Sequence, residues 1–186
     1  MPTRRALRLV VWAEVVLLGV LATTGLWLSR YYRPTQVRVY SFETHGLQSS
    51  IAWAARIRWL HTFSGSLFIW TALIVLALSI GVAVEDKTAP RSRVWILGAA
   101  FAVMAWGTSF TGYLLPWDQL ALRAVTIGSH FNGMWSAAFS DNIRFVLMGN
   151  SEITQSTLRT WFLVHAFVLG PALGAGLVLL VRRVRD

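Results

Sequence analysis

The chain contains no cysteine and only eight acidic residues among its 186. Without cysteine it has no disulfide, no thiolate metal site and no cofactor attached through thioether bonds. Apolar residues, by contrast, make up 55% of the chain, and the mean hydropathy is +0.55. Such a composition excludes a soluble domain and is typical of an integral membrane protein.

The seventeen Lys and Arg residues lie between and beside the apolar runs rather than along one face. This placement argues against a nucleic-acid binder and fits residues that flank membrane spans. Four apolar runs are long enough for spans of ~20 residues, at about 9–29, 57–84, 94–115 and 158–181. The sequence therefore predicts an all-α membrane protein, a four-transmembrane-helix bundle in one domain over 1–186, with an interfacial segment at 117–156.

With four spans, both termini and the 85–93 loop share one side of the membrane. That side carries nine basic residues: Arg4, Arg5, Arg8, Lys87, Arg91, Arg93, Arg182, Arg183 and Arg185. The other side carries the remaining eight in longer loops. The positive-inside rule then predicts cytoplasmic termini, in what we expect to be a bacterial cytoplasmic membrane.

Two histidines lie inside these runs, His61 near the start of the second span and His165 near the start of the fourth. An ionisable residue inside a span is a candidate functional residue by default. Both spans leave the outer side, and at ~1.5 Å per residue each histidine lies within roughly 10 Å of that boundary. Two neutral imidazoles at one depth can serve as the axial ligands of a single haem iron.

Three further residues fit such a cofactor. Gly25 and Gly112 lie near the outer ends of the first and third spans, where residues without side chains leave room for a flat macrocycle. Arg58, one turn before His61, is placed to meet a haem propionate at the interface. The predicted cofactor site consists of these three residues and the two histidines, with the histidines as the metal ligands.

Plainer interpretations of the same residues remain open. The histidines can be an interfacial pair hydrogen-bonded to the backbone or to each other, and the glycines can be sites of close helix contact. Glu14, in the first span, can serve a quinone or a proton path, or it can reach the interface or an arginine. The chain offers no nucleophile and no acid–base pair, so an enzyme acting alone is not predicted.

The run Gly-Tyr-Leu-Leu-Pro-Trp-Asp-Gln at 112–119 resembles the signature that ends the third helix of cytochrome b. Its Asp-Gln ending is most similar to the four-helix cytochrome b6 form. Further matches at 24–26, 57–61, 155–158 and 165–169 extend the resemblance over most of the chain. It implies a b6-like fold and a subunit that passes electrons in a respiratory or photosynthetic complex.

The family binds two stacked haems, with ligand histidines fourteen residues apart on the second and fourth helices and glycines fourteen apart on the first and third. Fourteen residues after the two histidines of this chain stand Val75 and Leu179. Fourteen residues before the two outer glycines stand Val11 and Gly98. Only one inner position matches, so the resemblance implies one haem b per chain, at the outer site.

Two details concern the helix interiors. The family has proline five residues after the fourth-helix histidine, whereas here Gly170 stands at that position and Pro171 follows it. We therefore expect this helix to kink or rotate differently. Trp70 and Trp106, near mid-span, are expected to fill core volume, either in place of a second haem or as ordinary packing.

The resemblance also implies partners. No Pro-Glu-Trp-Tyr stretch is present, as expected for a form whose quinol-pocket half is a separate subunit. The chain would then exchange electrons between a quinone and an outer-side cytochrome or iron–sulfur protein, in contact with membrane lipid. The alternative is a haem-free scaffold, derived from cytochrome b, that anchors larger subunits of a membrane complex.

Overall fold

The computed structural model describes residues 2–35, 52–85, 94–119, 121 and 154–185. Within these ranges the chain forms three uninterrupted helices, α1 (Pro2–Tyr31), α2 (Ala52–Glu85) and α3 (Val94–Leu114). A fourth long helix has three parts: α4 (Gln155–Leu163), a π-helical turn (Val164–Leu169) and α5 (Gly170–Arg185). No strand occurs in these ranges, and the predicted all-α fold is confirmed.

The four long helices are apolar and long enough to cross a membrane. A helix satisfies its own backbone hydrogen bonds, which lipid cannot do, so segments of this composition are stable as membrane-spanning helices. The first, second and fourth long helices extend beyond the predicted spans, whereas α3 ends one residue before its predicted bound. The first helix, α1, begins at Pro2, a residue suited to a first helical turn because its missing N–H has no partner there. The predicted interfacial segment at 117–156 lies mostly outside the described residues.

Successive helices pack against each other, and α5 packs against α1, which closes the bundle. At one end, Nε of Arg8 donates a hydrogen bond to the carbonyl oxygen of Val184 at 3.2 Å. At the other end, the Tyr32 hydroxyl donates to the Leu115 carbonyl at 2.8 Å, and burial raises the pKa of this hydroxyl. We call the half with the start of α1 and the end of α5 the terminal half, and the other the histidine half.

A continuous apolar core fills the terminal half. Its buried side chains come from all four long helices: Leu7, Val11, Phe68, Ala72, Val75, Val82, Val94, Phe101, Ala105, Leu173, Leu177 and Leu180. The two phenylalanines are the largest, and their ring centroids are 5.6 Å apart. Because apolar side chains gain little by leaving lipid for protein, close packing of this kind holds membrane helices together.

Trp70 and Trp106 lie outside this core. Their side chains are 66% and 62% exposed, so both point out of the bundle toward the lipid. The prediction that they fill core volume is therefore wrong, and Phe68 and Phe101 fill it instead. The sequence pattern could not reveal this, because a helix that is apolar on every face does not show which face is buried.

Glu14 is a polar exception inside the terminal half. It is fully buried, and neither carboxyl oxygen has a hydrogen-bond partner among the described residues. The Thr71 side chain lies beside it, but the Thr71 hydroxyl donates to the carbonyls of Leu67 and Phe68. The prediction that Glu14 reaches the interface or an arginine is wrong.

The π-helical turn changes the rotation of the fourth long helix. The N–H of Gly170 donates to the carbonyl of His165, five residues earlier, so the turn holds one residue more than an α-helical turn. The turn ends at Leu169, two residues before Pro171, which disrupts regular helical hydrogen bonding. As a result Leu180 is fully buried whereas Leu179 is 52% exposed. The position predicted for an inner ligand, Leu179, does not face the core.

Candidate functional site

The structure brings together the two residues predicted as metal ligands. His61 of α2 and His165 of the π-helical turn meet inside the histidine half, with ring centroids 6.5 Å apart and ring planes inclined by 74°. Both side chains are partly buried. The pair therefore occupies the space between two helices that are not successive in the chain.

This separation suits one metal ion between the rings. A histidine nitrogen lies about 2 Å from a bound metal, and the ring centre lies about 1 Å beyond it, so two rings on one metal have centres about 6 Å apart. Within the described ranges no group of three or more His, Cys, Asp or Glu side chains is placed to hold a metal. A two-histidine site suits a metal that brings its other ligands with it, as haem iron does.

The hydrogen bonds of His165 leave one of its ring nitrogens free for such a metal. Nδ1 lies 2.9 Å from the carbonyl oxygen of Thr108 and 3.1 Å from the hydroxyl of Thr111, both on α3. A carbonyl oxygen can only accept, so Nδ1 carries the hydrogen, and Nε2 keeps its lone pair. This is the tautomer of a histidine that binds a metal through Nε2.

The same arrangement holds His61 against α1. Its Nδ1 lies 2.8 Å from the hydroxyl of Thr24, and its ring is hydrogen-bonded to the backbone of Leu21. Each imidazole is thus fixed by a backbone group and by the threonine hydroxyl three residues further along the neighbouring helix. Fixing the ring through its second nitrogen orients a metal ligand and strengthens it as a base.

Thr24 and Thr111 are site residues that sequence reasoning did not select. The signal was present, because each threonine directly precedes a glycine predicted for the site, in the pairs 24–25 and 111–112. A Thr-Gly pair places a hydroxyl and a gap side by side on two neighbouring helices. The repeated pair, read together with the two histidines, marks both threonines as candidate partners of the imidazoles.

Gly25 and Gly112 lie directly against the two imidazoles. A Cβ on Gly25 would stand 3.1 Å from Cε1 of His61, and a Cβ on Gly112 would stand 2.8 Å from Cε1 of His165. The missing side chains therefore let each ring approach the neighbouring helix closely. Their predicted second role, to leave room for a macrocycle, stays a prediction.

Arg58 lies one turn beyond His61, at the end of the histidine half. Asp118, just after α3, lies close enough for its charge to act on Arg58. The Asp118 carboxylate also accepts a hydrogen bond from the Ala121 N–H at 2.8 Å. Trp117, with a left-handed φ of 56°, turns the chain at this point. The predicted contact of Arg58 with a haem propionate stays a prediction.

The corresponding positions of the terminal half hold packed side chains. Val11 and Val75 are fully buried within the apolar core. Gly98 matches the family pattern, but a Cβ there would collide with the hydroxyl of Ser79 and lie 3.1 Å from its Cβ. Gly98 therefore serves the close approach of α3 to α2.

The sequence of this chain is similar to the sequences of known proteins. The family model described as cytochrome b/b6/petB matches residues 9–182. Cytochrome b6 of Prochlorococcus marinus (strain MIT 9303) is 32% identical over 148 residues, which cover 78% of this chain and 65% of that protein. Cytochrome b6 of Heliobacterium mobile is 28% identical over 150 residues, which cover 81% of this chain and 68% of that protein.

The fold is similar to that of a solved chain described as "Hyperthermophilic respiratory Complex III", with a TM-score of 0.79 and 23% identity. That match covers 96% of this chain and 47% of the solved one. The chain thus spans 65% of the length of the Prochlorococcus relative and about half of the solved chain. Because the family model covers nearly all of its helical part, this protein belongs to the cytochrome b/b6 family.

Proposed function

We propose that this protein is a membrane electron-transfer subunit that binds one haem b, with His61 and His165 as the axial ligands. The observation that carries the proposal is the pair of imidazoles 6.5 Å apart, each held through Nδ1 by the neighbouring helix. Membership of the cytochrome b/b6 family supports the same cofactor.

When bound, the haem supplies a one-electron carrier, and the chain supplies its binding and its surroundings. The backbone groups of Leu21 and Thr108 hold one nitrogen of each ring, so that the other nitrogen is available to the iron. Gly25 and Gly112 let the rings approach the neighbouring helices. Arg58, at the end of the site, is suited to bind a haem propionate.

The packing of the terminal half supports a single haem. Val11 and Val75 occupy two of the positions that an inner haem would need, and Phe68 and Phe101 fill the space between the helices. The packed interior of a protein leaves few voids larger than a water molecule. Without an inner haem the chain has no evident relay across the membrane, so we propose that electrons enter and leave near the histidine half.

The proposed orientation and partners rest on charge and on the family resemblance. The nine basic residues predicted on the side of the termini support cytoplasmic termini and a haem toward the outer side of a bacterial membrane. The Asp-Gln ending of the run at 112–119, most similar to the four-helix cytochrome b6 form, supports a separate quinol-pocket subunit. We propose exchange between a quinone and an outer-side cytochrome or iron–sulfur protein, with the chain acting as a redox subunit rather than as an enzyme alone.

Haem quantification on the purified protein tests this proposal. We expect a low-spin b-type spectrum and one haem per chain. A folded but colourless protein would contradict the haem site and favour a haem-free scaffold. Two haems per chain would contradict the assignment of a single site and would direct the search to ligands from elsewhere.

A further inference from the structure

Trp161 of α4 has a buried polar atom without a partner. Its indole nitrogen Nε1 is closed off from solvent and has no hydrogen-bond partner in the part of the chain that the structure describes. Buried polar groups are rarely left in this state, because the unpaired group loses its bond to water and gains none in return. An indole N–H can only donate, so the group that completes this site is an acceptor.

Trp161 lies in the histidine half, on the same long helix as His165. It lies four residues before His165, one helical turn nearer the end of the bundle. Leu158 and Thr157, three and four residues earlier, are fully buried, so Trp161 belongs to the inward face of α4. The donor and the metal ligand therefore lie on the same side of one helix.

The neighbours of Trp161 at the end of α3 are apolar. Its ring meets Phe110 edge-on, with centroids 6.3 Å apart, and it packs against Leu114 and Ala121. The Ala121 N–H is already bound by the Asp118 carboxylate. None of these three neighbours supplies an acceptor to the indole N–H.

Arg58 and Trp161 occupy equivalent places on the two ligand helices. Arg58 precedes His61 by three residues and Trp161 precedes His165 by four, so each donor lies one turn beyond its histidine. Both also approach the segment after α3, Arg58 at Asp118 and Trp161 at Ala121. Two donors on opposite helices match the two carboxylates on one edge of a haem.

We propose that the Trp161 indole N–H donates a hydrogen bond to a carboxylate of the haem held by His61 and His165. This inference rests on the proposed function and adds a haem-binding residue to it. A charged oxygen acceptor forms a short, strong bond with an N–H donor. The bond would satisfy the buried nitrogen and help to set the rotation of the macrocycle in its site.

The test compares haem b with its dimethyl ester, whose carboxylates are blocked, in titrations of the full chain depleted of haem. Trp161→Phe keeps an aromatic ring and removes the N–H. We expect it to weaken haem b binding about tenfold, as for the loss of a hydrogen bond to a charged group. It should weaken ester binding clearly less, because an ester carbonyl is a neutral and weaker acceptor. Trp106→Phe is the matched control, because Trp106 is exposed and stacks on Phe110, and it should change neither affinity.

Equal weakening for both ligands, or no weakening for either, would overturn the inference, since the bond would then not involve a carboxylate. Ester binding by Trp161→Phe also shows that the variant is folded. A wild-type chain that binds neither ligand would contradict the proposed function itself.

Ultraviolet resonance Raman spectra of the wild-type chain give a second measurement that needs no variant. We expect the tryptophan band that reports indole hydrogen bonding to shift when haem b is added and to shift clearly less when the ester is added. The same response to both ligands would overturn the inference.

Discussion

The two halves of this bundle share the same four long helices but are packed in different ways. In the histidine half, imidazoles, threonine hydroxyls and glycines lie between the helices. In the terminal half, phenylalanine and aliphatic side chains take their place. The comparison teaches that one membrane bundle can hold polar groups between its helices in one half and close apolar packing in the other.

Two glycines of α3 show the same difference on one helix. Gly112 lies against the imidazole of His165, whereas Gly98 lies against Ser79 of α2. Both positions match a family pattern of haem-site glycines, yet their neighbours differ. A glycine in a membrane helix therefore marks a close approach, and only its neighbour shows what approaches.

The largest effect is expected from removing a predicted haem ligand, because the histidine half would then keep only one of its two imidazoles. His61→Ala and His165→Ala are each expected to lose the bound haem, because one axial bond and its orientation disappear. His130→Ala, at a histidine predicted to lie between the third and fourth spans, is the control and should retain it. Absorbance spectra per mole of protein measure the outcome, and an unchanged low-spin spectrum in either ligand variant would contradict the assignment.

The next largest effect tests whether packing in the terminal half contributes to stability independently of haem binding in the histidine half. Phe101→Ala in the terminal half is expected to destabilise the protein by about 3–5 kcal/mol, through lost packing and the cavity left behind. The haem content per folded chain should not change. Phe63→Ala is the control, because Phe63 is 47% exposed on the outer surface of α2 and should cost far less. Denaturation in detergent measures the stability, and loss of haem from folded Phe101→Ala would show that the halves are not independent.

A smaller effect contrasts the two glycines. Gly98→Ala is expected to cost about 3 kcal/mol, the upper end for overpacking, without loss of haem. Adding Ser79→Gly should restore most of that stability, since it removes the colliding side chain. Gly112→Ala is expected to weaken haem binding instead, because its Cβ would displace the His165 ring. If Gly98→Ala released haem from folded protein, the assignment of Gly98 to helix packing would be wrong.

The smallest effect concerns Glu14. Glu14→Leu is expected to raise the stability by about 1 kcal/mol, because it replaces buried oxygens that have no partner among the described residues with apolar atoms of similar volume. Glu14→Gln keeps unpaired polar atoms at the same place and should gain less. Thermal unfolding in detergent gives the comparison. A loss of stability in Glu14→Leu would show that the carboxyl has a favourable interaction in the folded protein.

Much of the site could be predicted because it depends on depth along the helices. The lengths of the apolar runs place His61 and His165 at one level, and Gly25 and Gly112 at the same level, without knowledge of how the helices rotate. The hydrogen bonds of Thr24 were missed because they depend on rotation as well as on depth. A Thr-Gly pair acquires its meaning only when an imidazole faces it.

The wrong predictions also arise from helix rotation, which the sequence pattern does not reveal. The sequence predicts Trp70 inside the bundle, although its helix is apolar all round and offers no polar stripe to mark the lipid-facing side. The family spacing, counted along a regular helix, predicts Leu179 as the counterpart of an inner ligand. The π-helical turn adds one residue, so that Leu180 faces the core in its place. Pro171, one residue later than the proline of the family, predicts that this helix kinks or rotates differently. It does not predict in which direction.

The sequence by itself determined that four apolar segments become helices, because lipid offers no other partner for backbone N–H and C=O groups, and that two imidazoles share one level. Only the tertiary structure decided which nitrogen of each imidazole is held, which side chains close the terminal half and where the chain widens into a π turn. These depend on the rotation of each helix about its axis. In lipid that rotation is set by packing against the other helices, and the sequence pattern does not record it.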